Sequence, residues 1–154
     1  MGRIDERLAE LSITLTDPPA PAGAYVPAIV DGTHVLTSGQ LPFVDGELPV
    51  TGHVGAEVDP EQAKAAARQC AINALAAIRA AVGDLDRIEQ VVKVVGFVSS
   101  APDFTGQPGV INGASELLGE VFGAAGEHAR SAVGVAALPL GTPVEVEVTV
   151  RLRD

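Results

Sequence analysis

The sequence predicts an α+β domain, a β-sheet with two long helices packed on one face. Three observations predict it. β-like and helix-like patterns follow one another in the order helix, β-β-α-β-α-β-β. The segments 59–82 and 107–123 carry apolar residues at helical spacing, with start and stop signals at their ends. The strand-like stretches 89–100 and 129–137 are small or apolar at both odd and even positions, apart from Arg130 and Ser131. Strands of that kind are covered on both faces. The chain of 154 residues, 47% of them hydrophobic, is long enough for one domain over 1–154 with its own core.

Taken in order, RIDERLAEL (3–11) places Ile4, Leu8 and Leu11 on one helical face. TDPPAPAG (16–23) can be neither helix nor central strand, so 1–23 reads as an N-terminal helix and a proline-rich connector. Asp31-Gly32, between AYVPAIV and THVLTSG, marks a two-residue hairpin turn. Residues 41–58 are a Gly/Pro-rich loop. Asp59-Pro60-Glu61 opens the first long helix with an N-cap, a proline at the first helical position and an acid in the first turn. That helix carries a stripe of Ile72, Leu75, Ile78 and Val82 and stops at Gly83. The second long helix presents Val110, Leu117, Leu118, Val121 and Phe122, while Gly109 and Gly113 leave one face bare. Residues 128–139 and 142–152 read as two strands about a short turn.

A covering problem follows. Two helices cover one sheet face, and the other needs a partner; the simplest is a second copy of the chain, so self-association is expected.

Composition narrows the function. A net charge of −10 repels a phosphate backbone, and with 3% aromatic residues there is no platform for stacking bases, so nucleic acid is not an expected partner. The single cysteine, Cys70, forms no internal disulfide and points to a reducing compartment; on a helix face it is expected to be buried rather than nucleophilic. MGRIDERLAEL has no apolar leader core, and no apolar run approaches a membrane span. A cytoplasmic protein with no membrane partner is expected. His34, His53 and His128 have no Cys or carboxylate at ligand spacing, so no metal site is expected.

The residues able to carry chemistry are few. Arg130 lies in HARSAVGVAALP among small neighbours that leave room for a guanidinium. A buried arginine must be paired. Two readings stand: a salt bridge to Glu145 or Glu147, or a fork for a ligand carboxylate. Glu145 and Glu147 share one strand face opposite Val144, Val146, Val148 and Val150. That alternation describes a solvated face over a core face, and Glu147 fits it. Glu145 lies nearest the turn and could orient a water or move a proton if desolvation raised its pKa. Tyr25 follows the connector, either as a hydroxyl at a pocket rim or as a packed aromatic. Asn112 precedes Gly113, where a cap or local turn is the plain account. Ser38-Gly39 ends a strand with a bare backbone that could face a ligand.

Together AYVPAIVDGTHVLTSGQLP, the Asn-Gly of the second long helix and ARSAVGVAALPLGTPVEVEV resemble the Rid family. These are the YjgF-like (RidA) reactive intermediate deaminases, also labelled endoribonuclease L-PSP. The resemblance runs from Tyr25 to Val150, with an N-terminal helical extension as in one branch of the family. It implies a chorismate-mutase-like fold, a homotrimer with clefts between subunits, and no cofactor. It implies that Arg130 holds a substrate carboxylate and that Glu145 positions the attacking water, with Tyr25, Asn112, Ser38 and Gly39 lining the cleft. The implied reaction converts 2-enamine or 2-imine acids to 2-keto acids and ammonia. A non-catalytic trimer that captures a small carboxylate is the alternative, and a ribonuclease is disfavoured by the charge. Ala132 stands where archetypal members often carry cysteine.

Overall fold

The computed structural model describes residues 1–21 and 23–154. Its elements are α1 (Arg3–Glu10), β1 (Ala28–Asp31), β2 (His34–Thr37), α2 (Pro60–Val82), β3 (Ile88–Ser99), α3 (Gln107–Phe122), β4 (Ala129–Val135) and β5 (Val144–Leu152). The end of the connector at Ala22 lies outside the described residues.

The capping signals act as written. The Asp59 carboxylate accepts from the Gln62 amide at 2.8 Å, and the Gln62 side chain accepts from the Asp59 amide at 3.1 Å. Gly83 closes α2 at φ 86°, a conformation only glycine adopts freely. α1 is capped from a distance: the Asp86 carboxylate accepts from the amides of Arg3 and Ile4, each at 2.8 Å. Those amides, Ile4 foremost, hold the Asp86 carboxyl below its ordinary range. The extension is thereby tied to the turn between α2 and β3.

The sheet order is β1-β2-β5-β3-β4. All neighbours are antiparallel except β3 and β4, which the α3 crossover makes parallel. The two C-terminal strands therefore do not pair about their turn. β3 lies between them, because the crossover sets β4 on one side of β3 and the chain then returns over the end of β3 to its other side.

Both long helices lie on one face, over Val35, Val91, Val94, Val98, Val144, Val146, Val148 and Val150, all fully buried. The buried face of α2 is made less by the predicted stripe than by Ala63, Ala67, Cys70, Ala71 and Ala74 beside Leu75 and Ile78; Ile72 and Val82 are only partly buried. Small residues win because α2 packs closely against both α3 and the sheet. A Cβ on Gly113 of α3 would stand 2.0 Å from the Lys64 carbonyl oxygen. Gly113→Ala thus sets a helix-propensity gain of about 1 kcal/mol against a clash with backbone. A net destabilisation of about 1–3 kcal/mol is expected, measured from the denaturant midpoint.

The other sheet face is open within one chain. Ile29, Leu36 and Val133 are 58%, 40% and 43% exposed on it, and Val95 and Phe97 are half-buried. β3 is therefore covered on one face by its own chain, and its other face is the one left open to a partner.

Candidate functional site

Strand register decides which side chains can meet. Arg130 is in register with Val94, so it points to the helix side of the outer strand β4. There it meets α3. Its Nη1 donates to the Asn112 Oδ1 at 2.8 Å and to the Ser115 Oγ at 3.3 Å, and its Nη2 makes a long contact of 3.4 Å to the Pro108 carbonyl. All three partners are neutral. The salt bridge to Glu145 or Glu147 does not form. Those residues are in register with Phe97 and Val95, on the opposite face and across β3. Among the described residues the ion pairs are Arg7–Glu10, Lys64–Glu116, Arg68–Glu120 and Arg151–Glu89, so the half-buried guanidinium has no carboxylate partner. Asn112 is not a cap; its side chain helps hold Arg130.

Glu145 sits on the open face beside Phe97, half-buried. A Cβ on Gly39 would lie 2.7 Å from the Glu145 Cδ, so the bare backbone at Gly39 makes room for this carboxylate. Burial raises the Glu145 carboxyl above its ordinary value, and the negative charge of Glu147 adds to the effect. Ser38 is engaged with its own chain. Its Oγ donates to the Val26 carbonyl, and its amide donates to the Pro27 carbonyl at 2.8 Å. Those bonds lay the segment after Tyr25 alongside Ser38 and Gly39. Tyr25 itself is 53% exposed.

The predicted residues thus fall into two groups. Arg130 and Asn112 lie on the helix side of one sheet edge. Glu145 and Gly39 lie on the other face, next to Ser38 and the chain leaving Tyr25. A single chain does not bring Arg130 and Glu145 together.

Two residues at the arginine are not among the expected site residues. Ser115 lies three positions after Asn112 and so on the same face of α3; His128 lies two before Arg130 and so on the same side of an extended chain. Those spacings were the available signal. The Ser115 Oγ is 2.8 Å from the His128 Nε2, and the His128 Nδ1 is 2.6 Å from the Gly126 carbonyl. Cys70 is fully buried, and burial pushes its thiol well up, with the Glu145 charge as a second cause. Among the described residues no three His, Cys, Asp or Glu side chains gather as a metal site would need, and no helix is long and apolar enough to cross a membrane.

Residues 5–151 match the family described as "YjgF/chorismate mutase-like, putative endoribonuclease". Protein TCP17 of Trypanosoma cruzi is 46% identical over 154 residues, covering 99% of this chain and 96% of that protein. The 2-iminobutanoate/2-iminopropanoate deaminase of Salmonella typhimurium is 36% identical over 139 residues, covering 88% of this chain and 93% of the enzyme. Among solved structures, protein Atu1372 of Agrobacterium tumefaciens, of unknown function, superposes with a TM-score of 0.90 at 47% identity, covering 98% of this chain and 94% of that one. Sequence, sheet and helices agree: the chain belongs to the YjgF/RidA family and has its chorismate-mutase-like fold.

Proposed function

We propose that this protein hydrolyses reactive 2-enamine and 2-imine acids, such as 2-aminoacrylate and 2-iminopropionate, to 2-keto acids and ammonia. The observation that carries the proposal is the guanidinium of Arg130, held by neutral acceptors and, among the described residues, paired with no acid. Such a fork suits a carboxylate. The 36% identity to an enzyme named for this reaction supports the same reading.

The chemistry asks for little machinery. A 2-enamine acid becomes a 2-imine acid when a proton moves from its nitrogen to its β-carbon. An imine carbon is already electrophilic, and water adds to it without a redox partner. Arg130 anchors the substrate carboxylate. Glu145 takes a proton from the attacking water as the carbon–oxygen bond forms. It passes that proton to the imine nitrogen, giving a carbinolamine. The carbinolamine hydroxyl proton then moves through the same carboxylate to the amino group as the carbon–nitrogen bond breaks, releasing ammonia and the 2-keto acid. A carboxyl raised by burial is suited to both transfers. Holding carboxylate and water in register lowers the entropic part of the barrier.

Since Arg130 and Glu145 face opposite ways in one chain, the proposal places each site between two chains of a homotrimer. The open face with Ile29, Leu36 and Val133 supplies apolar surface for that contact. The test generates 2-aminoacrylate with a dehydratase and follows pyruvate release with and without this protein. No acceleration at any protein concentration would overturn the proposal; pyruvate binding without acceleration would leave a non-catalytic carboxylate receptor.

Glu145 allows a second check. Its raised carboxyl binds a proton more tightly in the folded than in the unfolded chain. That contribution is complete below the ordinary carboxylate range and is lost as pH rises through the raised value. At neutral pH the ionised group is a net cost. Glu145→Gln is therefore expected to keep or raise the melting temperature at pH 7 while turnover falls about a hundredfold or more. Glu147→Gln, in register with Val95, is expected to leave turnover near wild type. Equal loss from both would remove the distinction.

A further inference from the structure

We propose that Ser115 and His128 form a directional hydrogen-bond relay that aims the Arg130 guanidinium at the ligand carboxylate. This rests on Arg130 being the carboxylate anchor, and it adds two positioning residues to that site.

The direction of the relay follows from which groups can donate. The Gly126 carbonyl can only accept, so the His128 nitrogen at 2.6 Å from it, Nδ1, carries the hydrogen. In the neutral ring Nε2 is then an acceptor. The Ser115 hydroxyl at 2.8 Å must therefore donate to Nε2. With its hydrogen committed, Ser115 Oγ turns its lone pairs toward the Arg130 Nη1 at 3.3 Å. Asn112 Oδ1 accepts from the same Nη1 at 2.8 Å. Both neutral acceptors thus grip one terminal nitrogen. The Nη2 edge is held only by the long Pro108 contact and is the one presented outward.

The far end of the relay is rigid. A Cβ on Gly126 would fall 2.3 Å from the Leu118 carbonyl oxygen, so the chain between α3 and β4 sits tight against α3 at that point. The carbonyl that sets the His128 tautomer is fixed to the same helix that carries Asn112 and Ser115. The gain is orientation without neutralisation. A carboxylate in place of Ser115 would hold the arginine more firmly but would compete with the ligand for its charge. A neutral relay keeps that charge for the ligand.

The test measures pyruvate affinity by calorimetry, and KM and kcat for imine hydrolysis, in Ser115→Ala, His128→Leu and the double variant. Ser115→Thr retains the hydroxyl, and His128→Gln retains an acceptor toward Ser115. Each disabling variant is expected to weaken pyruvate binding and raise KM about fivefold, with kcat little changed, as for one neutral hydrogen bond. The double variant is expected to be no worse than Ser115→Ala alone, because the effects pass through one chain of bonds. Ser115→Thr and His128→Gln are expected to recover most of the affinity. Wild-type affinity in Ser115→Ala and His128→Leu, or additive losses in the double variant, would overturn the relay. Should the disabling variants fail to fold, the retaining pair decides: weakened affinity in both, with intact folds, also overturns it. Arg130→Ala is run alongside. If it too behaves as wild type, the carboxylate-anchor reading fails, and that result is distinct from failure of the relay alone.

Discussion

Mixing two inactive variants, Arg130→Ala and Glu145→Gln, is expected to restore part of the lost turnover. Arg130 lies on the helix side of β4, and Glu145 lies on the open face of β5 with β3 between them. No rotamer carries either side chain through the sheet. A substrate held by one and hydrated through the other must then sit between two chains. In a cyclic trimer that contains both variants, about one cleft in three receives an intact arginine from one chain and an intact glutamate from its neighbour. Co-expression with two affinity tags and isolation of doubly tagged oligomers makes the mixture. Silence of such oligomers, with both variants present, would confine each site to one chain and remove the shared cleft. A monomeric mass by light scattering at micromolar concentration would do so more simply.

Replacing Arg130 itself is expected to have the largest effect on any single chain. Arg130→Ala removes the charge that anchors the substrate carboxylate, and a loss of about a hundredfold or more in kcat/KM is expected, corresponding to about 3 kcal/mol. Arg130→Lys retains the charge and loses the fork. An ammonium cannot hold Asn112 and Ser115 while offering a second parallel donor to a carboxylate, so most of the activity should still be lost. Thermal stability should change little in either variant, since the arginine has no acidic partner to leave unpaired. Wild-type turnover in Arg130→Ala would overturn the assignment.

The sequence made one part of the site legible and obscured another. Arg130 was conspicuous because a charge among Ala, Ser, Val and Gly has few ways to be buried. Its partner was not legible. Glu145 and Glu147 were near in sequence and of the right charge, and only the placement of β3 between β4 and β5 removes them from reach. The link between Ser115 and His128 is not legible, because each has an ordinary local role, a helix serine and an isolated histidine beside the arginine. Their connection needs α3 and β4 to lie side by side. The predicted stripe on α2, which does pack on the core, left out most of the buried face for a related reason. Periodicity ranks large apolar residues first, but where a helix packs closely on two neighbours the buried face belongs to alanine.

By itself, the sequence determined what depends on near neighbours. The capping residues of α2, the glycine that ends it, the turn at Gly32 between β1 and β2 and the two-residue alternation of β5 act over a few residues and one or two hydrogen bonds. The turn sits one position on from the expected Asp31-Gly32, because Asp31 still pairs with His34 and the two loop residues are Gly32 and Thr33. It also indicated that two long helices would cover one sheet face and leave the other open, since the count of helices and the apolar strands are present in the letters. Tertiary structure alone decided strand order, and with it which side chains share a face. Order is set by the crossover of α3 and by the return of the chain over β3, contacts whose loop-closure cost is repaid only when the whole sheet forms. Among the described residues, that ordering leaves Arg130 and Glu145 outside every ion pair, each facing away from the other.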